Sequence, residues 1–429
     1  MKKAFTFLLV FALIVLSVGS FAMAEDNVHI TWWMQGSGPD EGYEMSAQQA
    51  IAKAFMEQNP GIEVETVFAG PSDEYQKKIV MMAANDELPD LFNSTAANVQ
   101  GFKEANVMTD ITEYIDADEE WLGYFIEGAW DAHIGMTGGA KCGVPYQTEA
   151  QGWFYNKKLF EDNGLTIPTT FEEFKNAVTV LLAAGIQPIA HGGSDLWAVW
   201  GYYPFFARYG LGEVAEGLKT GDLKWADVMV APFERIKDLA DLGAYPANVT
   251  TMDNTQAKEM FLSGNAAMYT TGTWEMASFA AADIADQIVF NWGPTFDDSE
   301  YEQKVGLKST HWSVWVGSSV GKDEAKLAAV LKLLKFAGSP EMTKMAAEEY
   351  GQYPATTYDM SSSTLPAIYI ALFDALADDY VPCSEVPFYF DAALQEPIWN
   401  SITSVISSVI TPEEAALQLD DAQEMVLGY

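Results

Sequence analysis

The chain has 429 residues, 49% of them hydrophobic, and carries 61 Asp plus Glu against 23 Lys plus Arg, a formal net charge of −38. That length exceeds one ordinary core and calls for two lobes, while the charge repels phosphate backbones and anionic lipid and so excludes nucleic-acid and membrane-surface binding. His29, His133, His191 and His311 lack metal-ligand spacing, so neither a metal nor another cofactor is expected.

In chain order, Met1, Lys2 and Lys3 form a positive head, Phe5 to Val18 an apolar run, and Ala22-Met23-Ala24 a small-residue site before Glu25 and Asp26. This is the pattern of a secretory signal peptide over residues 1–24, cut after Ala24. The apolar run is shorter than the roughly 20 residues that a membrane span needs. A soluble, periplasmic protein is expected. Export would let Cys142 and Cys383 pair, but geometry decides pairing and spacing does not give it. The acidity reads either as attraction for a cationic ligand or as a solvated surface suited to salt.

Val28 to Trp33 reads as a strand, and its adjacent Trp32 and Trp33 must point to opposite faces. Met45 to Glu57 has helical spacing and stops at Asn59-Pro60-Gly61. Ile62 to Phe68 alternates as a strand, Ser72 to Asn85 is a helix, and Leu88 to Phe92 is a short buried strand. Strand and helix in alternation give a parallel α/β pattern. In the middle, Gly152 to Asn156 reads as a strand, Thr170-Phe171-Glu172-Glu173 as a capping box opening a helix to Ala184, and Gln187 to Ala190 as a strand. An aromatic stretch from Trp197 to Phe206 follows. Helices resume over Ala231 to Leu242 and Thr255 to Ser263, with a buried strand at Ala266 to Tyr269. The last third is mostly helical: Asp323 to Ala337, a helix capped by Ser339 with Pro340 at its first position, Trp399 to Val409, and a terminal helix opened by the capping box Thr411-Pro412-Glu413-Glu414.

Seven motifs occur in order: Trp32-Trp33; Phe55-x-x-x-Asn59-Pro60-Gly61-Ile62-x-Val64; Leu88-Pro89-Asp90-Leu91; Gly143-Val144-Pro145-Tyr146; Tyr155-Asn156-Lys157-Lys158-Leu159-Phe160; Phe261-x-x-Gly264-x-Ala266-Ala267-Met268 with Gly272-x-Trp274; and Thr411-Pro412-Glu413-Glu414-Ala415. Each is common alone, but the set resembles the extracellular solute-binding proteins of ABC importers, in the group of maltose- and oligosaccharide-binding proteins. The resemblance covers nearly all of the chain after the leader. It implies an α/β, two-lobed periplasmic-binding-protein fold with hinge crossings near Tyr146, Lys308 and Pro354. One lobe would take residues 25–147 and 308–354, the other 148–307 and 355–429. It also implies a monomer that closes on a sugar ligand and delivers it to ABC permease subunits, without catalysis.

A sugar offers apolar C–H faces and a rim of hydroxyls, which aromatic plates and planar polar groups suit. Beyond predicted strand ends lie Trp33, Gln35 and Tyr43, then Asn93, which could instead cap a helix. Tyr146 and Glu149 follow the first crossing. The resemblance puts stacking aromatics at Trp197 and Trp274, and Trp312 and Tyr353 follow or precede the other crossings. Arg occurs only at Arg208 and Arg235, which argues against phosphate or carboxylate ligands. Two other functions remain open. One is a receptor for a polyamine or quaternary ammonium held by aromatic cages. The other is a secreted carbohydrate-active enzyme using Asp90, Glu149 or Asp195 as acid and base.

Overall fold

The structure, a computed structural model, describes residues 27–36, 43–70, 72–126, 128–309, 313–359, 363 and 365–428. The expected leader and the candidate Trp312 lie outside them, and of Tyr43 only the backbone is described, as the first residue of the helix Tyr43–Gln58. The strands are β1 (Val28–Met34), β2 (Ile62–Phe68), β3 (Leu91–Phe92), β4 (Gly143–Pro145), β5 (Glu149–Asn156), β6 (Gln187–Ala190), β7 (Ala266–Gly272), β8 (Ile288–Asn291), β9 (Val305–Ser309), β10 (Ser313–Val316) and β11 (Val381–Pro382).

They form two sheets, one ordered β2-β1-β3-β10-β4 and one ordered β11-β9-β5-β7-β6 with β8 also on β5. In the first, β1 runs parallel to β2 and β3, as the strand–helix alternation predicts, and β10 runs antiparallel to β3 and β4. In the second, β5 is antiparallel to β7, β8 and β9.

Each sheet is buried on both faces. In the first, Ile30, Trp32 and Met34 meet Ile51, Phe55 and Leu333 on one side, while Tyr75, Ile79, Phe92 and Trp315 fill the other, with Trp33 against them. The adjacent tryptophans do part to opposite faces, because strand side chains alternate. In the second sheet, Trp153 and Tyr155 pack on Phe174, Phe233, Ile398 and Leu419, while Ala150 and Phe154 face Phe261, Phe279 and Leu372. Each such large side chain contributes about 1.5–3 kcal/mol on burial. Cys142 lies in the first lobe's core and Cys383 in the second's, and both are free thiols.

Local signals held where their chemistry was complete. Thr170 and Thr411 both form two-way capping boxes. Ser339 differs: it has cap geometry, but its hydroxyl makes no cap bond, and Pro340 alone marks the start. The helix expected from Trp399 to Val409 instead runs Gln395–Ile406, and β3 shrinks to two residues.

The chain passes between the sheets from β4 to β5 and from β9 to β10. β9 pairs Lys308 and Ser309 with Ala150 and Glu149, so these two residues belong to the second sheet. The third passage follows Pro354, which bridges Gln147, and Thr356, which still bridges Phe125 of the first lobe. The helix Ala367–Ala377 then packs on β8 and β5.

Candidate functional site

Strand direction assembles the site. The ends of β1, β3 and β4 and the start of antiparallel β10 share one edge of the first sheet. The ends of β6 and β7 and the start of antiparallel β5 share one edge of the second. The three residues 146–148 link the two edges directly, which sets them facing each other. Ligands of α/β sheets bind beyond such strand ends.

On the second-lobe edge, Glu149 and Gln151 lie two apart on β5 and so on one face, both nearly fully buried. Gln147 Nε2 donates to Glu149 Oε1 at 3.3 Å, and Gln151 Nε2 donates to Glu385 Oε1 at 2.9 Å. Burial pushes the Glu385 carboxyl up to about 7, opposed by the Gln151 bond. Gln151 pairs with Gly272 across the sheet, and a Cβ on Gly272 would collide with the Trp274 ring. Only glycine lets that ring lie against the strand. Trp274 sits 5.0 Å from Trp200, which sits 5.2 Å from Trp197, and Trp197 is 40% exposed. Behind them, Trp399 Nε1 donates to the Tyr203 hydroxyl at 2.8 Å.

On the first-lobe edge, Asn93 is buried but does not cap a helix. Its Nδ2 donates to the Ser313 carbonyl at 3.0 Å, and Tyr75 bonds its backbone, fixing the end of β3 to β10. Asn93 Oδ1, Gln35 Oε1 and Gln151 Oε1 are buried acceptors with no donor among the described residues. Each such atom costs about 1–3 kcal/mol unless something supplies a proton. Tyr146, half-buried, sets its ring 6.5 Å from Trp32, edge to face. Trp33 is half-buried against the second core layer of its lobe.

The structure thus brings Trp33, Gln35, Asn93 and Tyr146 to one edge and Glu149, Trp197 and Trp274 to the other. Tyr353 goes elsewhere: it is 1% exposed and stacks on Tyr369 and Phe373 in the second lobe's core. Gln151 and Glu385 join the site without having been singled out as ligand residues, while Trp200 and Tyr203 come from the aromatic stretch that competes with Trp197, and Trp399 from an expected helix start that makes it a weaker candidate. Gln151 was findable, two positions past Glu149 on a strand. Glu385 was not, since it reaches Gln151 across 234 residues.

The other proposed acids have structural partners. Asp90 meets Lys326 Nζ at 2.9 and 3.0 Å and accepts from Thr31, while Asp195 accepts from the Asn254 amide at 2.8 Å. Neither arginine reaches the edges. Arg208 is buried on the carbonyls of Trp292, Pro294, Gln303 and Val305, and Arg235 pairs with Glu234 and Asp238.

Residues 38–344 match the family described as "Bacterial extracellular solute-binding protein". The sn-glycerol-3-phosphate-binding periplasmic protein UgpB of Rhizobium meliloti is 26% identical over 239 residues, 52% of this chain and 52% of that protein. The multiple sugar-binding protein of Streptococcus mutans is 24% identical over 280 residues, 60% of each chain. The chain therefore spans between about half and three fifths of the length of these relatives. A solved chitin oligosaccharide binding protein superposes with a TM-score of 0.79 at 20% identity, over 93% of this chain and 99% of that one, a likeness of fold.

Proposed function

Since the chain belongs to the bacterial extracellular solute-binding protein family, we propose that it captures a sugar or oligosaccharide between its lobes and presents it to the permease of an ABC importer. The observation that carries this reading is the tryptophan run Trp197–Trp200–Trp274 beside the buried Gln151 and the half-buried Glu385 it bonds. Aromatic faces suit the C–H faces of a pyranose, and amide and carboxylate oxygens suit its hydroxyls. Trp33, Gln35, Asn93 and Tyr146 would close from the other lobe, with Tyr43 and Trp312 from the same segments. Closure by a hinge needs the ligand to favour the closed state, which contact from both lobes supplies.

The orphaned acceptors at the edges call for ligand donors, and the site holds carboxylates without guanidinium groups. That favours a neutral sugar over a phosphate ester such as the one in the name of the Rhizobium relative. Export after cleavage at Ala24, a two-lobed monomer, and binding without turnover complete the reading.

The test is a thermal-shift screen of residues 25–429 against neutral oligosaccharides, sn-glycerol 3-phosphate, polyamines and betaines. A ligand at 100 times its dissociation constant stabilises by about 2.7 kcal/mol, roughly 5–10 °C for lobes of this size. A shift with one neutral sugar class is expected. A shift with cationic solutes alone would replace this reading by the cation receptor, and turnover of an oligosaccharide by an enzyme.

A further inference from the structure

We propose that Glu385 is a specificity-determining residue of the second lobe, accepting hydroxyl hydrogen bonds from the captured sugar beside Gln151 and Trp274. The proposal rests on the sugar-receptor reading and adds to it one residue and one proton.

Geometry comes first. Glu385 lies between β11 and the short turn Val386–Tyr389, and it keeps partial exposure while its carboxyl meets Gln151. Gln151 shares its strand face with Glu149 and lies opposite Gly272, against which the Trp274 ring rests. Burial, and after it the Glu385 charge, raises the Tyr203 hydroxyl, which carries the Trp399 bond, so carboxylate, amide and aromatic rings form one patch at the sheet edge.

The groups tied to this carboxyl are Gln151 from β5, whose amide it accepts, and Tyr203 from the helix Tyr203–Arg208, which feels its charge and carries the Trp399 bond; Glu149 shares the strand face of Gln151, and Cys383 lies two residues before Glu385. Beyond Cys383 lies Arg208, already committed to four carbonyls. Among the described residues, no ion pair reaches Glu385, and its carboxyl meets the neutral Gln151 amide. Asp90 differs: Lys326 pairs with it at 2.9 Å. A largely desolvated carboxyl without a cation costs the fold stability, and such groups gather at binding sites.

A proton follows from the chemistry. In the free site the carboxyl is half ionised near pH 7, since burial pushes it up to about 7. Sugar hydroxyls donate, and so favour the ionised form. Ligand binding then expels the proton. Affinity is full above pH 7 and falls below it, about tenfold between pH 8 and pH 6 while the bound carboxyl stays ionised.

The experiment is calorimetric titration of residues 25–429 with the oligosaccharide that gives the thermal shift, at pH 6, 7 and 8, in buffers of different protonation enthalpy. The expected result is an about tenfold weaker affinity at pH 6 and about half a proton released per ligand at pH 7. Glu385→Gln should bind more weakly at pH 8 and lose the pH slope, and Glu385→Asp should restore it in part. Gln151→Met, lacking the amide donor, should move the midpoint to higher pH. A parent protein with no pH slope, or a slope that Glu385→Gln leaves intact, overturns the proposal. If no sugar binds at any pH, the receptor reading itself fails.

Discussion

Trp274 shows how much one residue can carry at this site. Its ring lies over Gly272 at the end of β7 and meets Trp200 at 5.0 Å, yet part of it stays open. A ring fixed on one side and open on the other is a rigid plate with little entropy left to lose on binding. Trp274→Ala should therefore weaken sugar affinity by tenfold or more, about 1.4 kcal/mol per tenfold, with Trp274→Phe recovering most of it. Calorimetry on the three proteins checks this, and an unchanged affinity for the alanine variant would remove Trp274 from the site. Trp274 was legible because it follows a buried strand and a Gly-x-Trp pattern. Tyr353 carried a similar signal, next to Pro354, and went to the core, because two aromatic rings of the helix Ala367–Ala377, Tyr369 and Phe373, pack on it instead. A pattern around one residue cannot tell which neighbours arrive from elsewhere.

At the scale of elements, the two threonine caps and Ser339 separate a complete signal from a partial one. Thr411 Oγ1 accepts from the Glu414 amide at 3.1 Å, and Glu414 Oε2 accepts from the Thr411 amide at 2.8 Å. The helix that starts there places Leu419 in the core and Asp420 on the amides of Trp225 and Ala226. Thr411→Ala should cost about 1 kcal/mol and lower the melting midpoint by roughly 2–4 °C. Ser339→Ala should leave the midpoint within error, since its hydroxyl makes no cap bond. Differential scanning calorimetry of both variants decides, and equal losses would contradict the structure's account of the caps. Strands that alternate or run apolar, such as β2 and β6, came out at their expected limits. β5 began three residues before Gly152, because Glu149, Ala150 and Gln151 pair with β9, a partner more than 150 residues away in sequence.

The whole molecule carries a charge of −38, and most ion pairs among the described residues have at least one exposed partner. Such pairs contribute about 0–1 kcal/mol each, while the surplus of carboxylates repels itself across both lobes. Salt should therefore stabilise the protein. The midpoint should rise between about 0.01 M and 1 M NaCl as the screening length falls from about 30 Å to about 3 Å. A fall would mean that the paired charges outweigh the surplus. The sequence alone determined the α/β class, the two-lobed plan, the strand ends that the two sheet edges share, and the family. Those follow from hydrophobic periodicity, capping chemistry and ordered short motifs, which are local in the chain. Only the tertiary structure decided that Cys142 and Cys383 lie in different cores, that Asn93 pins β3 to β10, that Asp90 is neutralised by Lys326, and that Glu385 joins Gln151 without a cation. Those depend on which distant segments meet at a sheet edge, and the chain's own neighbours carry no signal of that.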